Sequence, residues 1–268
     1  MKKNNILFLG SGNIAEAVIS GLIKTDSSFK NRIYCADIKK ERLSLLSKKY
    51  GIKTSTANTE FLKSSNIVFL SVKPQQIEDL LCEISGRLNK SQLVVSVAAG
   101  ITTAFIEKYL GRIPVIRTMP NTPLFVSEGM VAICKGKYAG NNHQKTIQDI
   151  FKLLGKTILL KETRFDAVTA ISGSGPAYLF YLAEAMQKAG IQLGFKEKEA
   201  GILAAQTLYG AGKLLINSTD SPAVLRQKVT SPGGTTEQAV KHFENRKLAE
   251  IIISAIKLAK QRSCELKR

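Results

Sequence analysis

Tryptophan is absent from the 268-residue chain, histidine occurs only at His143 and His242, and cysteine only at Cys35, Cys82, Cys134 and Cys264. The cysteines are scattered, with no CxxC pair and no Cys/His cluster, which argues against a zinc centre or a disulfide framework. Buried, reduced thiols and no metal are therefore expected. No apolar run approaches the roughly 20 residues of a membrane helix. The opening MKKNNILFLGSGNIAEAV reaches glycines before a signal-peptide core can develop. A soluble, cytoplasmic protein with no membrane partner is the expectation.

Negative charge is also scarce, with 21 Asp and Glu against 39 Lys and Arg, a formal net charge of +18. Such an excess attracts anions in general. The lysines nevertheless stand singly or in pairs from Lys2 to Lys267, without a basic block, so no nucleic-acid partner is expected. What remains is ordinary globular composition, 44% apolar with 20 Gly and 7 Pro. At roughly 100–200 residues per domain the chain has room for one large or two modest domains.

Short apolar runs alternate with helical pattern through the first half, at Asn5–Leu9, Arg32–Ala36, Ile67–Val72, Leu93–Val97 and Val115–Met119. Their nearly continuous apolar character fits strands of a parallel sheet covered on both faces. Shorter runs at Gly129–Cys134 and Thr157–Leu160 extend its far edge. Beyond Phe165 the rhythm is helical only, over Ala177–Lys188, Lys196–Ile216, Ala223–Val229, a stretch beginning EQAVKHF, and Lys247–Leu266. The predicted fold is α/β: a Rossmann-type, doubly wound, mostly parallel sheet over residues 1–162, then an all-helical domain over 163–268. Its helices (AGILAAQTLYGAGKLL, LAEIIISAIKLAK) carry more apolar residues than one buried face needs. That excess predicts burial against a second subunit.

The strongest motif is Gly10, Ser11, Gly12, Asn13, Ile14, Ala15, lying between the first strand and its helix. In a G-x-G-x-x-A turn the first glycine permits the tight bend, the second lets backbone approach a pyrophosphate, and the small third residue lets helix pack on strand. Asp37 closes the second strand 27 residues after Gly10. A carboxylate there accepts from ribose hydroxyls and favours NAD, whereas Lys39, Lys40 and Arg42 just beyond could take a 2′-phosphate. Three loops follow later strands: Ser71–Pro74, Ala98–Gly100 and Met119–Pro123. In the helical half, Ile171–Tyr178 reads as a small-residue hinge, and Ser231–Thr236 as a glycine turn before a helix, suited to a carboxylate. For the latter, a capping box between Thr235 and Gln238 is an equally good account.

In this order, GSGNIA, SVKP, VAAG, MPNTP, ISGSGPAY and VTSPGGTT resemble the pyrroline-5-carboxylate reductase family nearly end to end. The resemblance implies reduction of a cyclic imine acid to proline, the last step of proline biosynthesis, by hydride from NADPH or NADH. It implies a homodimer through the helical domain, often with further assembly of dimers. By the same resemblance Leu9, Gly10, Ser11, Gly12, Asn13 and Ile14 form the cofactor loop, with Asn58 near the adenosine ribose. Lys73 and Pro74 lie along the cofactor, and Ala98 and Ala99 near the nicotinamide ribose. The substrate carboxylate rests on Ser231, Pro232, Gly233, Gly234 and Thr235, and Thr236 bonds the ring nitrogen. Glu162 is placed near the substrate by position rather than motif. The pattern departs at Ser221–Gln227, where similar proteins carry HPGxLKD, and at Asp37, where NADP-preferring members carry a small polar residue. A β-hydroxyacid dehydrogenase would place Lys and Asn where Leu179 and Ala183 stand. A non-catalytic NAD(P)-binding regulator remains the other reading.

Overall fold

The computed structural model describes residues 4–266. Contacts divide the chain into two compact units, one running up to Ser174 and resuming at Ala259, the other Gly175–Leu258.

The first unit is built on eight strands: β1 (Ile6–Leu9), β2 (Ile33–Ala36), β3 (Lys53–Ser55), β4 (Ile67–Leu70), β5 (Leu93–Ser96), β6 (Val115–Met119), β7 (Gly129–Lys135) and β8 (Gly155–Leu159). They lie in the order β3-β2-β1-β4-β5-β6-β7-β8. Every pairing is parallel except β6 with β7. All four residues of β1, β4 and β5 are buried, which is why these runs read as continuously apolar. Successive side chains serve opposite faces. Phe8 and Phe69 stack at 4.7 Å within one core. Leu7, Leu9, Val68 and Leu70 belong to the other. The first face is covered by α1 (Asn13–Thr25), α2 (Lys40–Tyr50) and α5 (Asn141–Lys152), the second by α3 (Ile77–Ile84) and α4 (Thr103–Leu110).

Two expectations need correction. Strand β3 was not foreseen: it is three residues long, polar, and lies at the sheet edge with Lys53 exposed. Only Cys35 and Cys134 are buried, whereas Cys82 and Cys264 are exposed. Burial pushes both buried thiols up to about 12, so they stay protonated and unreactive.

The division expected after residue 162 and the contact break after Ser174 differ for a physical reason. The intervening chain forms α6 (Phe165–Val168) and a π-helical turn, Thr169–Gly173, and Phe165 and Ala170 are fully buried in the first unit. The last turns of the chain return to the same unit, where the buried Ser263 hydroxyl donates to Asp166 Oδ1 at 2.9 Å.

The second unit holds α7 (Gly175–Gln192), α8 (Glu197–Asn217), α9 (Pro222–Lys228), α10 (Thr235–Asn245) and most of α11 (Leu248–Glu265). Helices α7 and α8 approach closely at Gly190, where a side-chain carbon would lie 2.9 Å from Ala200 Cβ. Within this unit only Ala200 and Ala204 are buried. Leu179, Phe180, Tyr181, Ile202, Ile216 and Ile251 are among its large apolar residues left exposed. Hydrophobic burial is the dominant favourable term in folding, and this unit by itself leaves most of its large apolar side chains exposed. Among the described residues no helix is long and apolar enough to cross a membrane.

Replacing Ser263 by Ala strands one Asp166 oxygen in the interior. We expect a loss of about 1–3 kcal/mol of stability, read as a lower urea midpoint. An unchanged midpoint would show that water reaches Asp166.

Candidate functional site

The glycine turn after β1 is shaped by a collision that only glycine avoids. Gly10 sits at φ +100°, and a side-chain carbon there would lie 2.6 Å from the Ser71 carbonyl carbon. Gly12 is different. A side-chain carbon at Gly12 would meet only the Ser71 oxygen, at an ordinary 3.8 Å. Packing within the protein does not demand glycine there; close approach of a ligand to the backbone would. Gly12 is the N-cap of α1 and offers no side-chain cap. The N–H groups of Asn13, Ile14 and Ala15 therefore face outward without an intrahelical acceptor, as an anion site requires. The buried Ala15 supplies the close helix–strand packing.

The turn is braced from beneath. Asp37 Oδ2 accepts from the Ser11 N–H at 2.7 Å and the Ser11 hydroxyl at 2.6 Å, and Asp37 Oδ1 from the Lys39 N–H at 2.9 Å. Partial burial alone would raise the Asp37 pKa, but these three hydrogen bonds outweigh it and hold the carboxyl below its ordinary range. Arg42 Nε donates to the Ser11 carbonyl at 2.9 Å, and the far end of its guanidinium bonds Glu16. Glu16 also accepts from Lys49 at 3.0 Å and Tyr50 at 2.9 Å. Burial opposes ionisation of Glu16, yet the three donors bring its pKa down to about 2.

Above the turn opens a cleft of about 550 Å³, whose walls include Gly10, Ser11, Gly12, Asp37, Asn58 and Lys73. It lies at the carboxyl ends of β1, β2 and β4, beside the point where strand order reverses, the usual ligand edge of an open α/β sheet. Asn58 donates to Glu83 on the cleft wall at 2.7 Å. Leu9, Asn13, Ile14, Pro74, Ala98 and Ala99 do not line it. Leu9 is buried in β1, and Pro74 opens a 3₁₀ turn leading to α3. Reading motifs missed Gln76, Asp79, Leu80 and Glu83, which reach the cleft from the β4–α3 segment. Their only sequence signal is position after the strand.

Other predicted residues have defined structural partners. Glu162 accepts from the Thr103 N–H and hydroxyl, both at 2.8 Å, and pairs at 3.0 Å with Arg117, which is 2% exposed. Both its oxygens are thus engaged inside the first unit. The Asn121 side chain of MPNTP accepts from the Met130 N–H and donates to the Ser172 carbonyl, making the loop a strut.

In the second unit, considered by itself, Ser231–Gly234 forms a turn closed by the Gly234 N–H donating to the Ser231 carbonyl at 3.0 Å. Helix α10 begins at Thr235 with Gly234 as its N-cap, so the Thr235–Gln238 capping box is not formed. The Gly233 N–H instead donates at 2.9 Å to the carboxylate of Glu237, holding that carboxyl below its ordinary pKa range. Thr236 is exposed in the first turn of α10.

A glycine turn that admits a ligand, an open helix N-terminus and a carboxylate closing β2 are the parts of a dinucleotide site. They define the class as a dinucleotide-binding protein of Rossmann type. Residues 162–266 match the family described as pyrroline-5-carboxylate reductase dimerisation, and residues 5–100 that described as NADP oxidoreductase, coenzyme F420-dependent. The pyrroline-5-carboxylate reductase 1 of Bacillus spizizenii is 36% identical over 98% of this chain and 90% of its own length. The chain belongs to the pyrroline-5-carboxylate reductase family. Among solved structures, the pyrroline-5-carboxylate reductase of Coxiella burnetii is 36% identical, with a TM-score of 0.90 over all of both chains. That of Plasmodium falciparum, solved with NADP bound, is 26% identical with a TM-score of 0.91, again over all of both chains.

The Glu16 cluster makes a pH prediction. Its folded pKa of about 2 lies below the ordinary 4.5, so its stabilisation is present above about pH 4.5 and is lost as pH falls toward 2. In urea titrations across that window, the parent should lose stability more steeply than Glu16→Gln. Equal slopes would show that the cluster contributes nothing to acid sensitivity.

Proposed function

We propose that this chain reduces 1-pyrroline-5-carboxylate to proline, as the last step of proline biosynthesis in the cytoplasm, with the dinucleotide site in residues 1–162 and the substrate loop in 163–268. The observation that carries the substrate reading is the Ser231–Gly234 turn, whose Gly233 N–H already holds a carboxylate oxygen at 2.9 Å. A substrate carboxylate replaces the Glu237 side chain there and gains the open N–H groups at the start of α10.

The cleft residues fit a dinucleotide. Gly10, Ser11, Gly12 and Asn13 with the start of α1 receive its diphosphate. Asp37 and Asn58 hold the adenosine ribose, and Lys73 lies along the cofactor. Ala98 and Ala99 serve the nicotinamide ribose. When bound, the reduced dinucleotide supplies the hydride. The remaining chemistry is light. A protonated imine is already electrophilic, so addition of hydride to its carbon yields the secondary amine without a base to remove a hydroxyl proton. Neither histidine is required. His143 accepts the Gly140 N–H at the start of α5. The Thr236 hydroxyl meets the ring nitrogen and fixes the face of the ring. Glu162 acts as a positioning residue through Thr103 at the start of α4 and through Arg117.

The exposed apolar surface of the second unit supports a homodimer through the helical domain, with dimers assembling further. That burial supplies the core this unit lacks.

A spectrophotometric assay of reduced-nicotinamide loss with pyrroline-5-carboxylate tests the reading. Thr236→Ala should lower turnover by about 10²–10³-fold while leaving thermal unfolding in place, the scale for losing one well-aimed polar group. Parental turnover in that variant would remove Thr236 from the mechanism, and no turnover in the parent would overturn the function.

A further inference from the structure

The cleft described above is poor in positive charge, although the chain carries a net +18. Its walls hold four carboxylates, Asp37, Glu41, Asp79 and Glu83, against three cations, Lys39, Arg42 and Lys73. One of those cations is already committed. Arg42 is tied to the Ser11 carbonyl and to Glu16, and Glu16 is itself fixed by Lys49 and Tyr50. Turning that guanidinium toward a ligand would leave a mostly buried Glu16 without its Arg42 partner and release the brace beneath the glycine turn.

Asp37 is equally fixed. Three hydrogen bonds, two of them to the glycine turn, hold its carboxylate at the end of β2. With both sites of Oδ2 filled, one acceptor site is left on Oδ1; it accepts a hydroxyl readily, and the carboxylate charge opposes a phosphate dianion brought to the same place. Beside it the exposed Ile38 offers no side-chain donor. Lys39 and Lys40 are exposed, so their attraction for a phosphate is weakened by solvent and salt.

On the reading that the cleft receives a nicotinamide dinucleotide, we propose that Asp37 selects a free 2′-hydroxyl on the adenosine ribose, so that this chain prefers NADH to NADPH. Arg42, the residue best placed in sequence to reverse that choice, serves as a brace for the turn.

Calorimetric titration of the full chain with NADH and with NADPH, without imine substrate, tests this directly. NADH should bind at least about tenfold more tightly than NADPH. Asp37→Asn, which keeps the shape of the side chain, and Asp37→Ser, which removes its reach, should each bring the two affinities to within about threefold. Dihydronicotinamide fluorescence, excited directly to the red of protein absorption, gives a second readout. Equal or tighter NADPH binding by the parent would overturn the proposal, whether or not the variants fold. So would an unchanged preference in both variants. Binding of neither dinucleotide would overturn the cleft assignment along with it. A clear NADH preference with no turnover of the imine would uphold the selectivity and sink the reductase reading.

Discussion

The site depends on a contact in which the backbone of residue 10 passes so close to that of Ser71 that no side chain fits between them. Gly10 accepts φ +100° at no steric cost, and the chain leaves β1 at the angle that starts α1 beside the end of β4. Everything near the cleft follows from that turn. Because Ser11 is buried there, its amide and hydroxyl need a partner, and Asp37 is the partner. Because the Ser11 carbonyl also needs one, Arg42 is drawn in from α2, and Glu16 from α1 neutralises it. One steric requirement thus joins β1, α1, β2, α2 and β4 around an open helix N-terminus.

The helical unit is the opposite case, in which local structure is complete and packing is not. Its helices satisfy their own backbones, but burial stabilises a fold at roughly 25 cal/mol per Å² of apolar surface, and only two alanines within it are buried. The apolar excess visible in LAEIIISAIKLAK is the same fact seen in sequence. The end of α11 is anchored differently. Ser263 and Asp166 bond within the first unit.

How much was legible depends on range. The central strands were readable because burial on both faces leaves a continuous apolar run, and the glycine turn was readable because its residues are adjacent. Strand β3 was not, since Lys53–Ser55 takes its conformation from pairing with β2 and carries little apolar signal of its own. The Glu16–Arg42–Lys49–Tyr50 cluster joins helices α1 and α2 across a tertiary contact, and no spacing rule finds such a set. Glu162 could be named from position alone. Its actual partners, Thr103 and Arg117, come from α4 and β6, and Arg117 is a charge buried beneath Phe165 that an apolar strand pattern does not announce. The glycine turn before α10 left a cap and a carboxylate cradle in balance; the Thr235–Gln238 box is not formed, and the Gly233 N–H bonds the chain's own Glu237 instead.

The central claim is that hydride leaves a dinucleotide and arrives at the imine carbon. Isotope tracing reads this most directly. The enzyme would be supplied with a reduced nicotinamide dinucleotide carrying deuterium at both C4 positions, and the proline formed would be examined by NMR. The account predicts one deuterium, on the ring carbon bonded to nitrogen and remote from the carboxylate. Proline formed without deuterium at that carbon would contradict it.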